Sequence, residues 1–304
     1  MKNLAMLSAT LLMFGCADME DGVGQDEQAS TGEQGLHGAP EHLHLQRGEA
    51  RPGGGGSGSS PLMTAHGGTV LVANKTAAIF WGNWSNPGDK ITGLDSFFQG
   101  FGGSAYADAS TEYSGTNGQV TSSSTYLGHK FDTSTPPRKA LSTSSAVAEA
   151  CKITSNNPDP SALYLIYTST GAGHVNYCAW HSWGTCSNGA PVQVAYMPNI
   201  DGLAGCDPQD SSGLHSQGLA AVANVTAHEL SEAITDPRGA GWFDSSGAEN
   251  GDKCAWRFSP LKNGLVTLSN GTQWKLQGEW SNAAYNDGAG YANSSGQPGC
   301  LPFN

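Results

Sequence analysis

The chain has 304 residues, 42 of them glycine, with 26 acids against 14 lysines and arginines and a formal net charge of −12. Binding to phosphate backbones needs clustered Lys and Arg, and the chain has no basic run, so nucleic acid is excluded as a partner. Eight of the acids, against two arginines, fall within residues 17–60, which leaves a mildly acidic segment of 18 acids and 11 bases from Pro61 onward.

Residues 1–16 read as an export signal, with Lys2 as the basic start and Leu4 to Phe14 as an apolar run too short to span a bilayer. Leu12-Met13-Phe14-Gly15-Cys16 reads as a bacterial lipobox, with Cys16 to be lipidated and Ala17 favouring the outer membrane. The alternative is full secretion with Cys16 removed. A lipid on Cys16 is the one membrane contact expected. Residues 17–60 carry almost no large apolar side chains and end in Gly53-Gly54-Gly55-Gly56-Ser57-Gly58-Ser59-Ser60. Such a composition cannot offset ordering entropy, so the stretch reads as a disordered tether. His37, His42 and His44 read there as solvated tail histidines with at most weak metal affinity.

Residues 61–304 suffice for one domain with a substantial core. Thr69–Val72, Ala77–Trp81, Gln119–Leu127, Ala162–Tyr167 and Gln193–Met197 read as strands, and Ile91–Phe101 and Ser142–Cys151 as helices. Strands alternating with helices predict an α/β (α+β) domain with a mixed, mostly parallel sheet. Beyond Trp256 the chain is rich in Gly, Asn and Trp and predicts an irregular C-terminal lobe with short strands such as Leu265–Leu268. Without Cys16 six cysteines remain, at 151, 178, 186, 206, 254 and 300. In an exported chain these predict up to three disulfides, with the pairing left open; there is no C-x-x-C to support a cysteine-rich zinc site.

The chemistry concentrates in Thr226-Ala227-His228-Glu229-Leu230-Ser231-Glu232-Ala233-Ile234-Thr235-Asp236-Pro237. Strong helix formers lead in from Gly218, and Pro237 stops the run. The zinc-peptidase helix is H-E-x-x-H; here the second histidine is a glutamate. Four residues apart on a helix, His228 and Glu232 share a face and can reach one ion, with Glu229 turned beside them as general base. The plainer alternative is a solvated acidic face. Against it, six of the 18 acids lie between Glu229 and Asp252. A turn through Pro237-Arg238-Gly239-Ala240-Gly241 brings the later ones back toward the helix. Asp236 is nearest in sequence, but it sits about 80° round the helix from His228. Glu249 and Asp252 are therefore at least as good as the third ligand.

Cys178-Ala179-Trp180-His181-Ser182-Trp183 is the second suggestive stretch. His181 is a candidate ligand or transition-state donor, while His174 reads as a loop residue. No G-x-S-x-G elbow or phosphate-binding loop is present. A carboxylate pair for glycoside hydrolysis is open to the acids near Glu229, although an H-E pair on one helix turn suits a metal better.

His66-Gly67-Gly68, Ile79-Phe80-Trp81-Gly82-Asn83-Trp84-Ser85, the Cys178/His181 segment, Ala227–Glu232 and Asp252-Lys253-Cys254 follow one another in the order seen in EXORDIUM-like (phosphate-induced) proteins. The chain resembles that family from His66 to Cys300. Its bacterial relatives share a helix ending in Thr-Asp-Pro followed by Gly-Trp-(Tyr/Phe)-Asp. The resemblance implies an exported protein and carries over to His228, Glu229 and Glu232, and to His181, and leaves Asp236 open, since plant members commonly have Asn near it. Plant members are secreted, wall-associated and linked to growth signalling.

Taken together, the sequence predicts a zincin-like exported hydrolase, with the sheet-and-helix lobe followed by the H-E helix and the irregular lobe. The expected cofactor is a divalent metal, Zn²⁺ first, with Mn²⁺ or Ca²⁺ conceivable because a glutamate replaces a neutral ligand. His228, Glu232, Asp236, Glu249 and Asp252 are the candidate ligands, and Glu229 and His181 the catalytic residues. The expected substrate is an extracellular protein, making the chain a peptidase. The alternatives are a β-glucan hydrolase and a non-enzymatic wall-binding module.

Overall fold

A computed structural model describes residues 41–49 and 60–303. The export signal, Cys16 and His37 lie outside these residues. Six strands form one sheet: β1 (His42–Leu45), β2 (Asn74–Trp81), β3 (Ser124–Asp132), β4 (Ala162–Thr168), β5 (Tyr177–Thr185) and β6 (Pro191–Met197). Their order across the sheet is β1-β5-β6-β4-β2-β3. β3, β2, β4 and β6 are mutually parallel, β5 is antiparallel to β6, and β1 is antiparallel to β5. The domain is thus mixed α/β on a mostly parallel sheet.

β4 is buried at every residue, Ala162 to Thr168, as expected of a strand covered on both faces. Alternation along the strands divides the apolar residues between two cores. Ala78, Phe80, Leu163, Leu165, Tyr167, Ala179, Ala195 and Met197 face α1 (Lys90–Phe101) and α3 (Gln217–Thr235). Ala77, Ile79, Tyr164, Ile166, Trp180, Val194 and Tyr196 face α2 (Thr143–Ile153) on the other side. The α2 and α3 N-termini are capped by serine: Ser142 Oγ accepts from Ser145 N and Ser216 Oγ from Leu219 N. α3 is buried from Leu219 to Thr235, so the plainer alternative of a solvated acidic face does not hold.

Three sequence expectations need correction. Thr69–Val72 is not a strand: Leu71 N donates to Ile234 O, near the end of α3, and Val70 N to the Asn117 side chain, so partners outside any sheet satisfy its backbone while Val70 and Leu71 bury their side chains. In the Gln119–Leu127 stretch, pairing with β2 begins only at Ser124 and runs on to Asp132, because Val120 N and Thr121 N are taken by Tyr113 O and Val72 O. Part of the predicted tether is also ordered. His42–Leu45 pairs with β5, His44 is fully buried, and Gln46 Nε2 donates to Val175 O at 2.7 Å. The period-two alternation His-Leu-His-Leu gives this short segment one polar and one apolar face, which the sheet edge accepts.

The C-terminal lobe is irregular, as expected. Short antiparallel pairs join Trp242–Phe243 to Thr64–Ala65 and Leu265–Thr267 to Gln273–Lys275. Met63, Tyr113, Cys254, Trp280 and Cys300 make a third, small core. All six cysteines pair, as Cys151–Cys186, Cys178–Cys206 and Cys254–Cys300. Three disulfides suit an oxidising compartment. Among the described residues no helix is long and apolar enough to cross a membrane.

Candidate metal centre

α3 carries His228, Glu229 and Glu232, all with 0% exposure. One helical turn apart, His228 Nε2 and Glu232 Oε1 lie 3.1 Å from each other. After Asp236 the chain turns back, and the short helix α4 (Asn250–Lys253), with Glu249 just before it, lies against α3. Asp252 Oδ1 comes within 3.8 Å of His228 Nε2, and Asp252 N donates to Glu232 Oε1 at 2.8 Å. This contact is close enough to require glycine at 251. A Cβ there would stand 2.9 Å from His228 Nδ1 and 3.1 Å from Glu232 Oε1. Cys254, bonded to Cys300, holds the end of α4 in place.

β5 supplies His181, from the face that also points Ala179 toward α3. His181 Nε2 is 3.1 Å from Glu249 Oε2 and 3.5 Å from Glu232 Oε2. Glu232 therefore stands between the two histidines, one oxygen toward each. β1 adds the residues that sequence reasoning missed. His42 Nδ1 is 2.8 Å from Glu249 Oε2, and the His42 ring stacks on His181 with centroids 4.7 Å apart. The His44 ring stacks on His228 at 3.6 Å. Four sets of ligand atoms lie within 4.8 Å of one another: His228/Glu232/Asp252, His181/Glu229/Glu232, His42/His181/Glu249 and His44/His228/Glu229.

Asp236 is placed differently from the other predicted ligands. Its Oδ1 accepts from Ala240 N and Gly241 N, each at 2.8 Å, which ties the turn after α3, and it belongs to none of the four sets. His174 is exposed and outside the cluster.

The donor set fits a cation. Both oxygens of Glu229, Oε2 of Glu232, Oε1 of Glu249, Oδ2 of Asp236 and Nε2 of His228 are buried without a hydrogen-bond partner. Anions left so are costly unless a cation or proton meets them. The charges answer accordingly. Burial lowers His228, but Glu232 and Glu229 more than reverse this and carry it up to about 9. Burial likewise opposes, and Glu249 and Glu232 overcome, the shift that holds His181 well above the usual imidazole range. Glu232 is held well below the carboxylate range against its own burial by His228 and His181. Burial pushes Glu229 well up, and the two histidines only partly offset it.

Glu279 and Gln277 pack behind the cluster. Glu279 accepts from Tyr106 Oη at 2.6 Å, Ser231 Oγ at 2.7 Å and Asn250 Nδ2 at 2.9 Å, and burial raises its carboxyl to about 8. Gln277 Nε2 lies 2.6 Å from His228 Nδ1, while its Oε1 accepts from Trp256 N. The same Nε2 also donates to Gly251 O at 3.0 Å, so the Gln277 amide ties His228 to the return loop. Nothing in the sequence around Gln277-Gly278-Glu279 marked these residues, since their role depends on the packing of the irregular lobe against α3.

No protein-family model, curated protein sequence or solved structure matches the chain.

Proposed function

We propose that the protein is an exported metal-dependent hydrolase of zincin type acting on polypeptides. One observation carries the reading. A helix places His228 and Glu232 one turn apart beside Asp252, and Glu229, whose two buried oxygens have no hydrogen-bond partner, lies next to them, near His181 and His44. His228, Glu232 and Asp252 are the ligands in this account. A divalent cation held by them would supply Lewis-acid polarisation and lower the pKa of water. Glu229 is left to take a proton from the attacking water and return it to the departing amine. Its carboxyl is raised by burial, the direction a group that both accepts and donates near neutral pH requires. His181, whose imidazole Glu249 and Glu232 raise well above its usual range against burial, is placed to donate a hydrogen bond to charge developing on the carbonyl oxygen.

Full burial of Glu229 favours a second reading, in which the ion is structural and the protein a disulfide-braced binding module. Glu229→Gln separates the two. In the hydrolase, casein cleavage falls by about 10²–10⁴-fold with the metal retained. In the module, neither parent nor variant cleaves casein, and stability is unaffected by the substitution.

A further inference from the structure

The site is closed in this conformation, and what closes it is β1. Only four residues long, it lies at the sheet margin beyond β5. Its register sets His42 opposite His181 and His44 opposite Ala179. Both imidazoles therefore enter the cluster, one against Glu249 and the other against His228. Leu43 and Leu45 point the other way and are only partly buried against the core beneath α2. The leucines thus stay only half-buried, while His44, fully buried, and His42 are set among the acids and histidines of the site.

With β1 lifted away, the outer edge of β5 would present its backbone N–H and C=O groups directly beside His181. Sheet edges of this kind recognise an extended main chain by antiparallel pairing, which a glycan cannot supply. The segment is pinned at both ends by contacts outside the cluster. Glu41 Oε1 accepts from Thr143 N at 3.2 Å, and Leu45 O from Trp256 Nε1 at 2.8 Å.

We infer that residues 42–45 are a latency strap: they occupy, in the place of an extended polypeptide substrate, the lane along β5 that leads to the metal centre. His42 and His44 stand where the substrate's scissile region would lie, and Leu43 and Leu45 mark two shallow apolar subsites on the opposite face. The latency, though not the occupancy of the lane, rests on the hydrolase reading.

The test uses the full chain carrying Leu43→Pro, which breaks pairing at the strap's centre, and a fluorescent peptide spanning Glu41 to Glu49. An intramolecular occupant filling the lane all but ~1% of the time weakens the parent's affinity for the peptide about 100-fold relative to the variant. The strap account predicts that difference, together with faster casein cleavage by the variant and its inhibition by added peptide. Equal peptide binding by the parent and a cooperatively folding variant overturns the strap. Equal casein cleavage by the two overturns latency. Peptide binding gained without any cleavage by the metal-loaded variant leaves the strap in place and refutes the hydrolase. Should Leu43→Pro prevent folding, a protease site inserted between Glu49 and Ser60 and cut after folding gives the same comparison by peptide exchange.

Discussion

Replacing Cys254 and Cys300 together by alanine removes a crosslink between residues 46 apart in sequence. On the chain-entropy account, freeing a loop of that size in the unfolded state costs about 4 kcal/mol. For a domain of this length that lowers Tm by about 8–16 °C. The Cys151–Cys186 bridge spans 35 residues, so its removal should cost nearly as much, about 4 kcal/mol again. The two variants part over the metal. Cys254 ends the short helix that brings Asp252 to His228, with Glu249 at the other end, whereas Cys151 and Cys186 lie in the core on the far face of the sheet. Zinc titration calorimetry at a temperature where both variants are folded should therefore show affinity lowered about 10–100-fold for the Cys254/Cys300 variant. The Cys151/Cys186 variant should match the parent. Equal zinc affinity in the two variants, or no fall in Tm for either, would refute the reasoning that this bridge holds the return loop against the helix.

Glu149 on α2 is raised to about 7 by its burial and by Asp132, while Asp132 is held low, against burial, chiefly by Lys152 and Ser134. Glu149 stays protonated in the native state to about pH 7 but ionises near 4.5 when unfolded, so its contribution is complete below 4.5 and lost as pH rises through 7. Melting curves at constant ionic strength should show Glu149→Gln flattening the decline in Tm between pH 5 and 8 relative to the parent, and parallel curves would contradict it. Ser216 Oγ accepts from Leu219 N at 3.2 Å at the start of the site helix, so Ser216→Ala should cost about 1 kcal/mol in urea unfolding and leave zinc affinity unchanged.

The site helix was legible because its signals are local. The spacing of His228 and Glu232, the helix formers before them and Pro237 after them each act within a turn or two. Glu249 and Asp252 were legible as a return, since a glycine-rich turn must bring so dense a set of acids back near α3. Asp236 also ties the turn: its Oδ1 accepts from Ala240 N and Gly241 N, while its Oδ2 is buried without a hydrogen-bond partner. β1 was hidden by its flanks, where acids and glycines make residues 17–60 read as one tether. The signal present was the His-Leu-His-Leu alternation, too short to outweigh that composition until β5 offers it an edge. β5 itself is interrupted by polar His181 and Ser182, so its strand character came from pairing with β6 and not from propensity. Gln277 and Glu279 owe their place to tertiary packing alone.

Elemental analysis of the intact protein tests the metal centre most directly, on material exported from cells and dialysed free of loose ions. The account predicts about one divalent ion per chain. The His228→Ala/Glu232→Ala double variant, still cooperatively folded through its three disulfides, should lose that ion. A parent that takes up no ion even when offered zinc, manganese or calcium, or a double variant that keeps a full complement, would contradict it.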